Sequence, residues 1–172
     1  EGEADCIVVG GGPVVVAMGS DEKVLDRTRA IASVPSISTT GAILKGIDYF
    51  GAKKLAVATP YTDGRNALLK RYLESQDYEI EGIKGLGIEK AADIARLPWE
   101  TPYELATEVA RQAPEAEAIY IPCARFPSVG SIAAIERDTG LPVVTSTQAM
   151  VWWGLRTIGI DDHIEGYGAL LN

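Results

Sequence analysis

The chain has 172 residues, of which 47% are hydrophobic, a length and composition that suit one compact α/β unit or two small lobes. No run of about eighteen apolar residues occurs, so a membrane-spanning helix and a membrane partner are excluded. The formal net charge of -8 at pH 7, without clustered Lys and Arg, argues against nucleic acid as a partner.

The two cysteines, Cys6 and Cys123, belong to no CxxC pair and have no histidine nearby. This pattern supports neither a disulfide framework nor a zinc site. We therefore expect a protein of the reducing cytoplasm that binds no metal.

Short apolar runs alternate with longer amphipathic segments along the whole chain. This alternation predicts repeated βα units around a parallel sheet, and hence an α/β fold. The predicted strands are residues 6–9, 55–59, 79–84, 118–121 and 142–145. The predicted helices are residues 22–32, 39–50, 63–76, 88–97, 101–113, 131–138 and 147–158.

The first predicted strand ends in Gly10, Gly11 and Gly12. A dinucleotide-binding fingerprint would need a further glycine where Val15 stands, and Pro13 removes an amide that a phosphate would need. Two interpretations stay open. In the first, the glycines are present because the turn requires a positive φ angle. In the second, the amides of Gly11 and Gly12 also bind an anionic group.

The second predicted strand brings the side chains of Thr59, Tyr61 and Thr62 to the carboxyl edge of the sheet. Hydroxyl donors beside a helix N-terminus suit a carboxylate ligand, although Thr62 would also serve as a helix cap. The polar run 145–148 follows the last predicted strand and should reach the same edge.

Cys123 directly follows the apolar run 119–121 and precedes a predicted helix. Its loop should lie at the carboxyl edge of the parallel sheet, where open α/β sheets bind ligands. A cysteine there is either a small buried hydrophobic residue or a functional thiol. The convergence of the other polar loops on this edge favours the functional thiol.

Four segments together resemble the aspartate/glutamate racemase superfamily: PSISTTGA at 35–42, ATPYTDGRN at 58–66, the loop around Cys123, and GLPVVTSTQA at 140–149. Within this superfamily the chain is most similar to the arylmalonate decarboxylase and maleate cis-trans isomerase branch. The resemblance implies an α/β fold of two pseudo-symmetric lobes with Rossmann-like parallel sheets, an active site between the lobes, and no cofactor.

The same resemblance predicts how the chain divides into lobes. We assign residues 1–40 and 146–172 to the first lobe and residues 41–145 to the second. The first lobe would then lack its opening strand and helix. We therefore expect either a naturally shortened chain or a fragment of a longer one.

In the racemases and isomerases that the chain resembles, two cysteines face each other across the substrate. Cys123 corresponds to the second cysteine, whereas Gly11 falls where the first would stand, and Cys6 lies too early in its strand to replace it. Racemisation needs a proton donor and an acceptor on opposite faces of one carbon, and a single thiol serves one face. In having a single thiol at this place, the chain resembles the arylmalonate decarboxylases. This resemblance implies that Cys123 protonates an enediolate after loss of carbon dioxide.

The resemblance also implies which groups bind the substrate and stabilise the enediolate: the side chains of Thr59, Tyr61 and Thr62, and the backbone amides of Gly11, Gly12 and Ala124. The chain departs from the decarboxylase pattern where Gly12 and Pro13 replace hydroxyl residues. It also has Arg125 after the thiol, which would either bind a second carboxylate or face solvent. Ala91 replaces an amide side chain of the isomerases, which indicates a less polar pocket.

Three functions therefore stay open. The first is a cofactor-independent decarboxylase of a malonate-type carboxylic acid. The second is a maleate cis-trans isomerase or an aspartate/glutamate-type racemase, and the third is a non-catalytic binder of dicarboxylates. The partner in each case is a small mono- or dicarboxylate, and a homo-oligomer is compatible with all three.

Overall fold

The computed structural model describes residues 4–172, and within them the chain forms six β-strands and eight α-helices. The strands are β1 (Ile7–Val9), β2 (Ser36–Ser38), β3 (Lys54–Thr59), β4 (Glu79–Gly85), β5 (Ala118–Ile121) and β6 (Val143–Thr145). The helices are α1 (Gly12–Met18), α2 (Asp21–Arg29), α3 (Thr39–Tyr49), α4 (Asp63–Glu74), α5 (Ala91–Ile94), α6 (Thr101–Gln112), α7 (Ile132–Thr139) and α8 (Ser146–Thr157). Short 3-10 helices cover Val129–Ser131 and Ala169–Leu171.

The strands of the described residues form two sheets. β1 pairs with β2, and the larger sheet has the order β4-β3-β5-β6. All of these pairs are parallel. Because parallel strands end at the same edge, the loops that follow the strands of each sheet gather at its carboxyl edge.

The central strands of the larger sheet are buried on both faces, and successive residues point to opposite sides. Leu55 and Val57 pack against a cluster that includes α3 and α4. Ala56 and Ala58 pack against a second cluster that includes α6 and α7. The near-continuous apolar run of β3 follows from this double coverage.

The α/β class with parallel sheets is confirmed, and each predicted element has a counterpart whose ends lie within three residues of the prediction. Helix α1 and strand β2 lie outside every predicted range. The β-branched valines of α1 are weak helix formers, and the glycine turn before it obscures the helical pattern. Strand β2 has three residues and exists because it pairs with β1, a long-range contact.

Helices α3 and α8 pack against each other, and each contacts strands of both sheets. The proposed lobe bounds, 1–40 with 146–172 and 41–145, stay a prediction, and residues 1–3 of the first lobe lie outside the described range. In the part of the chain that the structure describes, no helix combines the length and the apolarity needed to cross a bilayer.

Candidate active site

A cavity of about 720 Å³ lies where the loops that follow the strands of both sheets meet. Its lining includes residues that lie within four positions after the ends of β1, β2, β3, β5 and β6. These are, in that order, Gly10 to Gly12, Thr39 and Thr40, Tyr61, Pro122 to Arg125, and Ser146. The convergence of loops that the sequence indicates is therefore present.

Cys123 lines this cavity and is half-buried. Its φ angle is 81°, in the left-handed region that residues other than glycine rarely adopt. A hydrogen bond of 2.9 Å from the Phe126 amide to the Cys123 carbonyl closes the turn. The loop after β5 thus places the thiol at the cavity and stores backbone strain there, a combination typical of functional sites.

The Tyr61 hydroxyl lies near the Cys123 thiol, and both line the cavity. Burial raises the pKa of Tyr61 far above its usual value, and the neighbouring Cys123 raises it further. The Arg65 guanidinium acts in the opposite direction with a smaller effect. The hydroxyl therefore keeps its proton at neutral pH and can donate a hydrogen bond to an anion.

The segment that follows β4 holds the Tyr61 loop in place. The amides of Leu86 to Ile88 donate hydrogen bonds of 3.0 to 3.1 Å to the carbonyls of Thr59 to Tyr61. Gly85 packs so closely that a Cβ atom there would lie 2.3 Å from the Tyr61 carbonyl oxygen. Glycine is therefore required at this position if Tyr61 is to keep its place.

Thr59 and Thr62, both predicted to contact substrate, are not among the residues that line the cavity. Thr59 is fully buried, and its hydroxyl donates to Asn66 Oδ1 at 2.6 Å and accepts from the Tyr61 amide at 3.1 Å. Thr62 is the N-cap residue of α4. The Thr62 side chain makes no capping hydrogen bond, so the predicted cap is not formed, whereas the Thr59 hydroxyl joins the loop to α4. The contact of both residues with substrate stays a prediction.

The glycine turn after β1 forms another part of the lining. Gly11 has a φ angle of 109°, as the interpretation of a positive-φ turn requires. Among the turn, loop and cap hydrogen bonds of the described residues, none uses the backbone amides of Gly11, Gly12 or Ala124. These amides are available to bind an anion in the cavity.

Two buried hydroxyl residues that were not predicted as site residues, Thr40 and Ser146, also line the cavity and are 3% and 4% exposed. Thr40 Oγ1 lies 3.3 Å from the position that a Cβ of Gly12 would take. The Thr39 hydroxyl is hydrogen-bonded to Val9 and Met150, whereas no such bond within residues 4–172 uses the Thr40 or Ser146 hydroxyl. Ser146 belongs to the predicted polar run 145–148, but Thr40 follows a strand that the sequence pattern did not reveal.

Most of the remaining lining is apolar, and two cations interrupt it. The cations are Arg65 and Arg125, and both are exposed at the cavity. The apolar members of the lining are Pro13, Val16, Ala17, Ile43, Leu68, Leu69, Ala91, Ile94, Pro122 and Met150.

Cys6 is separate from this cavity, and its sulfur lies 3.9 Å from the Gly154 carbonyl oxygen. Among residues 4–172, no group of three or more His, Cys, Asp or Glu side chains is arranged to hold a metal ion. The reactive and polar groups of the described cavity are therefore one thiol, the phenols of Tyr61 and Tyr120, two guanidinium groups, backbone amides and buried hydroxyls.

A family model for arylmalonate decarboxylase matches residues 7–171. The chain is 29% identical over 145 residues to the arylmalonate decarboxylase of Bordetella bronchiseptica, a match that covers 84% of this chain and 60% of that protein. It is 28% identical over 167 residues to a maleate isomerase of Pseudomonas putida, a match that covers 92% of this chain and 66% of that protein. The chain thus spans less than two thirds of the length of these relatives.

Solved structures give the same grouping. A crystal structure of arylmalonate decarboxylase superposes with a TM-score of 0.88 at 26% identity, over 98% of this chain and 75% of that chain. The maleate isomerase Iso from Pseudomonas putida S16 superposes with a TM-score of 0.85 at 24% identity, over 98% and 70% of the two chains, which indicates a common fold.

Proposed function

This chain belongs to the arylmalonate decarboxylase family, and we propose that it is a cofactor-independent decarboxylase of a malonate-type carboxylic acid. Cys123 is the proton donor in this proposal. The observation that carries it is the thiol content of the cavity: of the two cysteines, Cys123 lines the cavity and Cys6 does not. The turn that contains Gly11 presents backbone amides in place of a second thiol.

The reaction begins when the bond between the central carbon and one carboxylate breaks. Carbon dioxide leaves, and the electron pair passes into the remaining carboxylate to form an enediolate. An apolar surrounding favours this step, because the departing group loses its charge as it leaves. The apolar side chains of Val16, Ile43, Ile94 and Met150 supply such a surrounding.

Hydrogen-bond donors that line the cavity would stabilise the enediolate. The raised pKa of Tyr61 keeps its hydroxyl protonated, and the amides of Gly11, Gly12 and Ala124 supply fixed backbone donors. The hydroxyls of Thr40 and Ser146 supply two side-chain donors where Gly12 and Pro13 have none.

Cys123 then completes the reaction. Its S–H proton passes to the carbanionic carbon, and a proton from solvent restores the thiol. Since one thiol lines the described cavity, the proton reaches one face of the carbon, and the product of a prochiral malonate should be a single enantiomer.

Maleate isomerisation is the second candidate, because the maleate isomerase of Pseudomonas putida is nearly as similar to the chain as the decarboxylase. Covalent isomerisation needs both a nucleophile and an acid. One thiol lines the described cavity, and it can serve as only one of these groups. The small apolar side chain of Ala91 in the lining also favours the decarboxylase.

The proposal is tested by incubating the chain separately with methylphenylmalonate, ethylmalonate, maleate, aspartate and glutamate. Released carbon dioxide and the enantiomeric composition of the products are measured. We expect carbon dioxide from a malonate and one enantiomer of 2-phenylpropionate. Conversion of maleate to fumarate without decarboxylation would replace the proposal with the isomerase.

Variants at the two cysteines test the role of Cys123. Cys123→Ser should lower kcat by about 10²- to 10⁴-fold, the usual contribution of general acid catalysis, with the malonate-induced rise in melting temperature retained. Cys6→Ser is the matched control and should leave kcat unchanged. Full activity of Cys123→Ser would overturn the proton-donor role, and binding of malonate without turnover in the unaltered chain would identify a binder.

A further inference from the structure

Arg65 and Arg125 are the cationic members of the lining. Arg125 lies two residues after Cys123, and the Arg65 guanidinium is near enough to Tyr61 to oppose the rise in its pKa. Arg65 therefore lies near the Tyr61 phenol, and Arg125 belongs to the same loop as the Cys123 thiol.

These two cations are unusual in a chain whose 24 acidic residues outnumber its 16 Lys and Arg. Eight ion pairs within 4.0 Å occur in residues 4–172, and none includes Arg65 or Arg125. Their fork-shaped donor groups match the geometry of a carboxylate. The cavity thus holds two guanidinium groups with no protein carboxylate beside them in the described chain.

The two arginines are poorly suited to bind the carboxylate that departs as carbon dioxide. A guanidinium at that group would stabilise its charge in the ground state and lose the interaction as carbon dioxide forms, which would slow the reaction. The apolar part of the lining suits the departing group better. The cations therefore suit a different anionic group of the ligand.

We infer that this cavity is built for a malonate whose side chain carries a further carboxylate, and that Arg65 and Arg125 select it. The inference rests on the proposed function, because it concerns the substrate of the same cavity. It assigns the apolar part of the lining to the departing carboxylate and the two guanidinium groups to a carboxylate that is retained in the product.

Binding is tested first with ligands that cannot decarboxylate as malonates do. Isothermal titration calorimetry compares propane-1,2,3-tricarboxylate with glutarate, which lacks the additional carboxylate. We expect the tricarboxylate to bind about tenfold more tightly, the effect of one good charge-assisted hydrogen-bond pair. Added salt should reduce this preference, since the cations are solvent-exposed.

Charge-removing variants then identify the residues responsible. Arg65→Gln and Arg125→Gln should each weaken tricarboxylate binding by about three- to tenfold and change glutarate binding less than about twofold. Arg71→Gln is the control, because Arg71 is exposed on the same helix as Arg65 but is not part of the cavity lining. Equal affinity for both ligands, or an equal effect of Arg71→Gln, would overturn the inference.

A turnover experiment separates this inference from the proposed function. The values of kcat/KM for ethane-1,1,2-tricarboxylate and ethylmalonate are compared in the unaltered chain and in the two variants. A preference for the tricarboxylate that both variants reduce supports the inference. Turnover of both malonates at the same rate overturns it and leaves the decarboxylase intact. Arginine-dependent binding of propane-1,2,3-tricarboxylate without decarboxylation of either malonate supports the cationic site and overturns the decarboxylase.

Discussion

At the scale of single residues, Thr40 places a hydroxyl beside the glycine turn, which has no side-chain donors of its own. Its hydroxyl lies beside Gly12, 3.3 Å from where a Cβ atom would be, and no side-chain hydrogen bond of the described residues uses it. A buried hydroxyl without a protein partner that lines a cavity is well placed to donate to a ligand. We therefore expect Thr40 to supply a donor that the sequence at 12–13 does not.

Thr40→Val tests this expectation, because valine keeps the shape and removes the hydroxyl. The value of kcat/KM for a malonate should fall by about 10- to 100-fold, the effect of losing one hydrogen bond to a charged group. The melting temperature should change little, since the hydroxyl has no partner in the described chain. Both quantities are measured on the same preparation.

Thr39→Val provides the contrast. The Thr39 hydroxyl donates to the Val9 carbonyl at 3.3 Å, so its loss should lower stability by about 1 kcal/mol. Its effect on kcat/KM should be smaller than that of Thr40→Val. If Thr40→Val leaves kcat/KM unchanged, Thr40 is not a donor to the substrate.

At the scale of elements, the end of β4 determines where the Tyr61 loop lies. The Gly85 backbone is in contact with the loop, with its Cβ position 2.3 Å from both the Tyr61 carbonyl oxygen and Asn66 Nδ2. The buried hydrogen bond between Thr59 and Asn66 lies directly beneath this contact. Position 85 therefore influences the site although it is not part of the cavity lining.

Gly85→Ala should displace the Tyr61 loop and lower the free energy of unfolding by about 1 to 3 kcal/mol, the usual cost of overpacking. It should also lower kcat/KM, because the Tyr61 hydroxyl moves relative to Cys123. Urea unfolding and malonate turnover measure the two effects.

Gly64→Ala is the matched control, since nothing lies within 4 Å of the Cβ position in this exposed residue of α4. Alanine should leave turnover unchanged and raise helix stability by about 0.5 to 1 kcal/mol. If Gly85→Ala behaves like this control, the contact with Tyr61 does not position the loop.

Elements with a strong local pattern could be predicted from the sequence. The apolar run of β5 is predicted with its observed ends, Ala118 and Ile121, and α3 starts at the predicted residue. Strand β2 could not be predicted, because three residues are too few to show the hydrophobic pattern of a strand and its partner β1 is distant in sequence. The same reason explains why Thr40 was missed.

The candidate site was predictable to the extent that its residues follow recognisable strands. Cys123, Tyr61 and the glycine turn all follow such strands and line the cavity. The placement of Thr59 away from the lining depends on its hydrogen bond to Asn66, a tertiary contact that no local pattern reveals. Such tertiary contacts decide which hydroxyl near the end of a strand points toward a ligand.

At the scale of the whole molecule, buried tyrosines couple stability to alkaline pH. Burial raises the pKa values of Tyr61, Tyr78 and Tyr120 above their usual range, and the Asp48 carboxylate adds to the effect at Tyr78. In the unfolded chain these phenols lose their protons near pH 10, whereas in the folded chain they keep them. The unfolded state then binds fewer protons, so stability falls as pH rises.

We therefore expect the free energy of unfolding contributed by these tyrosines to be fully present below about pH 10 and to decline above it. The decline should approach about 1.4 kcal/mol per pH unit for each such tyrosine. Urea unfolding followed by circular dichroism from about pH 8 to about pH 11 measures the slope.

Tyr120→Phe should make this slope less steep, because phenylalanine has no proton to lose and Tyr120 is 3% exposed. Tyr49→Phe is the control at a tyrosine that is 59% exposed, and it should leave the slope unchanged. An identical slope in all three proteins would show that burial of Tyr120 does not couple stability to alkaline pH.

The left-handed backbone at Cys123 opposes stability to the proposed activity at a single position. A φ angle of 81° suits glycine, and holding a cysteine there costs about 1 to 3 kcal/mol. If the proposed role of the thiol holds, a library of variants selected only for thermal resistance should accumulate glycine at position 123. A library selected for turnover should retain cysteine. The residue on which the proposed chemistry depends is thus the one that laboratory evolution for heat tolerance would be expected to remove early.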